Sequence, residues 1–410
     1  VLRHLQIYDP RERWIVGLAD LALGAAAVLP RALHRPSAKA PARILLLRLE
    51  RIGDLLMALG AIRAVREHAP DARIDLAVGS WNEAIARLIP GIDLVETVDA
   101  PWLARGADGG YRVLVRAARA WRARGYDLAI NFEPDIRTNL LLAFGGAPAR
   151  IGFSSGGGAA ALTSAIAYDP RRHTAENALR LVQVAFGAPL EDAERWRERP
   201  ASLELPDDAV AAGRALLERA ASEAGIEPSR LVRAPLVGIH ASGGREIKQW
   251  SPARFAAVAA SLHQSEGAIT VLTGGPGDRA VVDAVRAALP PGTPAIDLAG
   301  RADLVTLAGA LRHLALLVTG DTGPMHLAAA VGVPLVAIFG PSDPARYAPA
   351  GERARIVRVS LPCSPCNRIR LPPARCVGHV PDCLDRIGAD AVLAPARELL
   401  HARQATPPLR

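Results

Sequence analysis

Two aspartates and one lysine stand where they could move a proton and hold an anion. Asp54 closes the run Arg51-Ile52-Gly53-Asp54, in which glycine permits a tight turn straight after an apolar run. A carboxylate there can take a proton from a hydroxyl, or it can simply cap the start of a helix. The second constellation is His240-Ala-Ser242-Gly243-Gly244, followed by Lys248, Trp250 and Ser251-Pro252 opening a helix. A flexible loop with one lysine beside a helix start suits a diphosphate. The third is Thr319-Gly320-Asp321-Thr322-Gly323-Pro324-Met325-His326. It reads as a strand, a tight turn and a helix with proline in its first turn; the amides of Thr322 and Gly323 would point at an anion while Asp321 braces the turn, unless the turn is only a helix cap. Lys248 stands out for another reason. The chain has two lysines, Lys39 and Lys248, against 47 arginines, so a lysine kept against that bias calls for a reason or is an accident.

Several other chemistries are excluded. Neither lysine lies in the Gly-Lys-Ser/Thr context of a P-loop, and no metalloprotease or serine-hydrolase signature is present. Gly156 to Ala161 follows a strand as Gly-x-Gly-x-x-Ala. It reads either as a dinucleotide fingerprint or, given its Gly- and Ser-rich surroundings, as a mobile loop.

These groups need a frame. With 410 residues, half of them hydrophobic and 22% charged, the composition is that of a soluble protein of two or three domains. The net charge of +8 favours anionic partners such as sugar nucleotides or an acidic bilayer. With aromatics at 4% and scattered charges, nucleic acid is not expected. From Ala42 onward, short Leu- or β-branched-rich runs alternate with Ala-rich helical stretches, the pattern of βαβ units. Buried strands are predicted at Arg43–Leu49, Ile74–Val78, Asp127–Phe132 and Arg150–Phe153, then at Leu236–His240, Ile269–Thr273, Ala315–Thr319 and Leu335–Phe339. The fold class is therefore α/β, with two doubly wound domains at residues 41–186 and 235–400 joined by a linker at 187–234. Ligands are expected at the carboxyl ends of the strands and in a cleft between the domains.

Two segments lie outside this pattern. Residues 1–40 contain Trp14 to Pro30, apolar except for Asp20 and too short to span a bilayer. An acid within the apolar run argues against a secretory signal, leaving an amphipathic helix that packs on the body or lies on a membrane surface. The other segment carries Cys363, Cys366, Cys376 and Cys383. In a reducing compartment such a density favours a metal site over disulfides, with redox-sensitive or unliganded thiols as the alternatives.

Read in order, the motifs resemble glycosyltransferase family nine, the ADP-heptose:lipopolysaccharide heptosyltransferases. The resemblance runs from about Ala42 to Leu399. It rests on Arg51-Ile-Gly-Asp-Leu-Leu56, His173-Thr-Ala-Glu176, Lys248-Gln-Trp250, Gly274-Gly-Pro276 and Gly320-Asp-Thr-Gly-Pro-Met-His-Leu-Ala-Ala-Ala-Val-Gly-Val-Pro334, continuing to Phe339-Gly-Pro-Ser-Asp-Pro344. The resemblance implies the GT-B fold, two Rossmann-like domains facing across a cleft, and an inverting transfer of heptose from ADP-heptose to a lipid-linked core oligosaccharide that needs no metal or other cofactor. It matches Asp54 to the catalytic base and Lys248 to the lysine on the donor phosphates. Asp321, Thr322, Gly323 and His326 match the diphosphate-binding segment, and Ser242 and Gly274 fall in the donor-side loops. Asp278 stands where the family usually has a glutamate on the ribose hydroxyls. Trp250-Ser251-Pro252 replaces Trp-Pro. Gly53 and Arg137 are acceptor-side candidates by position, and the cysteines, in a segment often Cys-rich in the family, are a candidate structural zinc site. The implied location is the cytoplasm, peripheral on the inner membrane. Another nucleotide sugar as donor, or a non-catalytic binding protein of the same fold, are the competing readings.

Overall fold

The computed structural model describes residues 5–7, 9–26, 40–103, 110–187 and 202–404. The chain divides into two compact units, Val1–Trp196 and Arg197–Arg410.

The first unit is built on six parallel strands, β1 (Arg43–Arg48), β2 (Arg73–Val78), β3 (Leu94–Thr97), β4 (Leu128–Asn131), β5 (Ala149–Phe153) and β6 (Ser164–Ile166), in the order β3-β2-β1-β4-β5-β6. β1 is central because Ile44 to Leu47 are apolar on both faces and wholly buried, with Leu46 in register with Leu76 on one side and Ile130 on the other. Its helices are α1 (Pro10–Ala26), α2 (Ile52–Met57), α3 (Leu59–His68), α4 (Arg112–Arg124), α5 (Ile136–Phe144) and α6 (Thr174–Phe186). Gly125 ends α4 in the left-handed conformation, at φ 63°, that other residues rarely adopt. α1 belongs to this unit. Val16 packs with Leu5 and Ile136, and Leu23 joins that cluster. The rest of the Trp14–Pro30 segment, beyond Ala26, lies outside the described residues.

The second unit repeats the plan with β7 (Leu236–His240), β8 (Ile269–Leu272), β9 (Ala295–Asp297), β10 (Leu316–Gly320), β11 (Leu335–Ile338) and β12 (Ala354–Val357), ordered β12-β11-β10-β7-β8-β9 and again all parallel. Its helices are α7 (Asp207–Glu223), α8 (Pro252–Glu266), α9 (Arg279–Ala288), α10 (Leu304–Arg312), α11 (Gly323–Ala330) and α12 (Ala389–Gln404). The expected linker at 187–234 needs correction. Residues 188–201 are outside the described set, but α7 is part of the second unit and packs tightly on α10. A Cβ on Gly213 would lie 2.1 Å from the Ala310 nitrogen, and one on Gly309 would lie 2.0 Å from the Ala209 carbonyl oxygen. Glycine on both helices lets the backbones touch.

In each sheet the strand order reverses once, between β1 and β4 in the first unit and between β7 and β10 in the second. Loops leaving the two strands at such a reversal diverge and open a crevice for ligands. All three sequence constellations fall at these two places.

Candidate active site

In the first unit, Asp54 sits in the first turn of α2 but does not cap it. The N-cap is Arg51, which makes no side-chain cap hydrogen bond, and the Asp54 amide itself bonds back to the Arg51 carbonyl. The carboxylate instead meets Arg48, whose Nη2 lies 3.2 Å from Asp54 Oδ1. Arg48 is the last residue of β1, and its side chain is 4% exposed. Through Nη1 it donates to the Phe132 carbonyl at 2.5 Å and pairs with Glu50 at 3.3 Å. Burial works against the guanidinium's charge, yet Glu50, Asp54 and Glu133 together raise its pKa.

Glu133 completes this cluster from the end of β4. It is 2% exposed and accepts the amides of Leu49 and Glu50, the latter at 2.9 Å. Burial, helped by the charge of Glu50, pushes its carboxyl up to about 8, against the pull of Arg48 and the Leu49 amide. Asn131 supports the turn: its Oδ1 accepts the Glu133 amide at 3.0 Å and its Nδ2 donates to Thr138 and Asn139. On the other flank the Glu50 carbonyl accepts from Trp81 Nε1 at 2.8 Å and Asn82 Nδ2 at 2.7 Å. The spacing of the sequence missed Arg48 and Glu133; the available signal was a charge at the end of each of two apolar runs.

Gly53 is buried within the first turn of α2 beside Asp54 and does not form the separate tight turn expected from the sequence. Arg137 lies just past the β4 end, at the start of α5, where Asp135 caps the helix by accepting the Arg137 amide at 2.7 Å. The same carboxylate grips the Arg137 guanidinium at 2.9 Å and 2.5 Å, and the guanidinium lies 4.5 Å from the Trp102 ring centre. Burial lowers the arginine's pKa, but Asp135 more than offsets it. The Gly-rich loop corrects both of its sequence readings. Residues 155–158 are buried, a Cβ on Gly156 would fall 1.9 Å from the Pro134 carbonyl oxygen, and the Gly158 amide donates to Asp20 Oδ1 at 2.7 Å. Its glycines permit close packing against the α5 entry, and an amide that a phosphate would need is already taken.

In the second unit, Lys248 and Asp321 meet. Lys248 Nζ lies 2.9 Å from Asp321 Oδ2, with the side chains 18% and 12% exposed. One follows β7 and the other follows β10, so the ion pair bridges the strand reversal. The two loops also meet through backbone, since a Cβ on Gly320 would lie 3.4 Å from the Lys248 carbonyl oxygen; within the β7 loop itself a Cβ on Gly243 would lie 2.8 Å from the Lys248 carbonyl carbon. Thr322 caps α11, accepting the Met325 amide at 3.4 Å, with Gly323 and Pro324 opening the helix and His326 buried in its first turns. The start of α11 therefore carries the amides and positive dipole end suited to an anion.

Ser242 donates to Asp278 Oδ1 at 2.7 Å, while Asp278 Oδ2 accepts the Gly275 amide at 2.8 Å. Asp278 thus ties the β7 loop to the β8 loop, and its carboxylate retains lone pairs for a further donor. Gly274 sits under it, where a Cβ would lie 3.1 Å from Asp278 Cβ. His240, buried at the end of β7, shares a hydrogen bond with Thr273 Oγ1 at 3.1 Å, and burial pulls its imidazole down to about 4. It is neutral at physiological pH. Trp250 is a core residue, edge-on to Phe255 at 4.9 Å and donating to the Ile387 carbonyl.

The cysteines form a loose group. Cys363 is exposed, Cys366 and Cys376 are half-buried and Cys383 is buried, its thiol pushed up to about 11 first by burial and then by the other three. The donor types suit zinc. Among the described residues, however, no three Cys, His, Asp or Glu side chains are arranged to share an ion.

Two parallel six-stranded sheets, each reversing once in strand order, give the architecture of GT-B glycosyltransferases, and a non-capping carboxylate at one reversal with a lysine, aspartate and helix start at the other are groups a glycosyl transfer can use. The comparisons agree. Residues 114–373 match the model of glycosyltransferase family 9 (heptosyltransferase), and the chain belongs to that family. It is 28% identical over 314 residues to lipopolysaccharide heptosyltransferase 2 of Salmonella typhimurium, covering 75% of this chain and 85% of that one. Escherichia coli K12 lipopolysaccharide heptosyltransferase 2 is 26% identical over 316 residues, with the same coverage of each chain. Among solved structures, the E. coli ADP-heptose LPS heptosyltransferase II superposes with a TM-score of 0.70 at 20% identity, covering 88% of this chain and 99% of that one. A family 9 glycosyltransferase from Veillonella parvula gives 0.71 at 25% identity, covering 88% and 97%.

Proposed function

We propose that this glycosyltransferase moves a heptose from ADP-heptose to a hydroxyl of a lipid-linked lipopolysaccharide core oligosaccharide, with inversion and without a metal ion, as a peripheral protein on the cytoplasmic face of the inner membrane. The observation that carries the reading is the freedom of Asp54 from capping: it is half-exposed at a strand reversal, aimed by a buried arginine. In the reaction Asp54 takes the proton from the acceptor hydroxyl as its oxygen bonds to the anomeric carbon. The bond from that carbon to the ADP oxygen breaks, its electrons leave with ADP, and the sugar configuration inverts. The second unit meets the charge on departing ADP. Lys248 can keep one N–H on Asp321 and turn the others to phosphate, while the α11 amides add fixed positive ends. Asp278, already holding the Ser242 hydroxyl, is placed in the same loops to accept from a ribose hydroxyl.

Product analysis by mass spectrometry tests this. Purified protein would be given ADP-heptose, UDP-sugars or GDP-sugars, each with deep-core lipopolysaccharide acceptors. Transfer from ADP-heptose alone is expected. Preference for a UDP- or GDP-sugar would redirect the donor assignment, and the absence of any transfer would favour a binding role.

A further inference from the structure

α1 is inserted with its polarity reversed. Its one internal acid, Asp20, points at the body and accepts the Gly158 amide, and Val16 and Gly17 are buried beside it. The opposite face shows Trp14, Ile15, Leu18 and Leu21 to solvent at 65%, 69%, 62% and 55% exposure. The packing of a soluble helix would put that face inward. The Asp20 hydrogen bond and the Val16 contact fix the rotation.

The exposed face has neighbours of matching character. α1 adjoins α5 through Val16 and Ile136 and through Glu12, 4.0 Å from Arg137. α5 in turn packs beside α4. On these helices Phe144 and Val115 are exposed, as is Tyr111 at the N-cap of α4, so seven of the eleven exposed large hydrophobic side chains among the described residues lie on or at the start of these three helices. Arg112, Arg116 and Arg119 line a shallow concavity with Tyr111 and Val115. An apolar stripe with a tryptophan on α1 and a cluster of three arginines beside Tyr111 and Val115 on α4, each next to α5, together have the chemistry of a bilayer interface carrying anionic headgroups. Scattered single apolar residues would need no such account.

We infer that α1, with α4 and α5 beside it, is a docking face for an anionic lipid bilayer. α5 starts directly after the β4 end that carries Glu133, and Arg137 lies in its first turn, so the docked face adjoins the proposed acceptor side of the first unit. The inference rests on the reading that the acceptor is lipid-linked, but membrane binding and transfer can be measured apart.

The test is flotation of the full chain with vesicles of phosphatidylglycerol and phosphatidylethanolamine, or of phosphatidylcholine alone. The comparison variants are W14S/I15S/L18S/L21S and R112Q/R116Q/R119Q. Wild type should float with the anionic vesicles, and the quadruple variant should bind about tenfold less or weaker still at an unchanged melting temperature. The arginine variant should lose the preference for anionic over neutral lipid and the sensitivity to salt. Equal flotation of wild type and quadruple variant overturns the inference. So does failure of wild type to float while ultracentrifugation shows a dimer that the quadruple variant dissolves, since the face would then bind a second copy. Transfer to a delipidated acceptor should be equal in wild type and quadruple variant. If wild type floats but transfers to neither a lipid-linked nor the delipidated acceptor, the functional reading fails and the docking face stands.

Discussion

Arg48 holds Asp54 through one nitrogen, at 3.2 Å, and the carbonyl of Phe132 through the other, at 2.5 Å. A single buried cation thus fastens the proposed base to the strand across the reversal.

Asp54→Asn tests the base directly. The amide keeps the shape and cannot accept the proton, so kcat should fall by about 10² to 10⁴. Because Asp54 makes no cap, ADP affinity should hardly move, and any fall in melting temperature reports the lost ion pair with Arg48 and not a lost helix cap. A kcat within about threefold of wild type would leave the base unidentified.

Removing the cation should cost both stability and rate. Arg48→Met leaves the partly exposed Glu50 and Asp54 without their shared counter-charge and the Phe132 carbonyl without its donor, a loss of about 1 to 3 kcal/mol measurable by urea unfolding. Arg48→Lys keeps the charge but cannot reach both partners with one planar fork. It should unfold later than the Met variant while kcat still drops about 10- to 100-fold from misplacement of Asp54.

Glu133 should leave a mark on the pH dependence of stability. Its folded pKa, about 8, lies above the ordinary 4.5 of the unfolded chain, so between those values the native state binds the proton and the unfolded state does not. Its contribution is full below the unfolded value and is lost as pH rises through about 8. Thermal melts across this range should show stability declining toward alkaline pH, and Glu133→Gln, neutral throughout, should flatten the decline. An identical slope in the variant would place the titration elsewhere.

Lys248→Ala should weaken ADP binding by about 10- to 100-fold, the scale of a lost charged hydrogen bond, as read by calorimetry. Lys248→Arg should recover only part of this, because the larger guanidinium must fit a site shaped by the contact with Asp321. Full activity of the Arg variant would mean that the lysine survived the arginine bias by accident.

Chelation separates chemistry from scaffold. Transfer should persist in EDTA. Loss restored by Mg²⁺ or Mn²⁺ would contradict the proposed mechanism, whereas a lower melting temperature with kcat intact would point to metal bound by the cysteine segment.

The sequence showed the middle of each sheet and missed its borders. All eight predicted strands are central, and the four unpredicted ones, β3, β6, β9 and β12, are the four edges. Edge strands here are three or four residues long and mostly half-exposed, so they carry no apolar run to detect. Asp54, Lys248 and Asp321 were legible because glycine-marked turns follow apolar runs. Their partners were not. Arg48 and Glu133 lie 85 positions apart and become neighbours only because β1 pairs with β4, a fact of topology that local spacing does not contain.

The contact of Gly243 and Gly320 with the Lys248 backbone also bears on which substitutions these loops tolerate. A side chain at Gly243 would displace the lysine's main chain, whereas a Cβ at Gly320 would meet its carbonyl oxygen at van der Waals distance, 3.4 Å. Movement in either loop therefore reaches the other and alters the Lys248–Asp321 pair between them. If these loops hold the donor as proposed, a side chain at Gly243 should weaken nucleotide-sugar binding unless the Lys248 segment is revised with it.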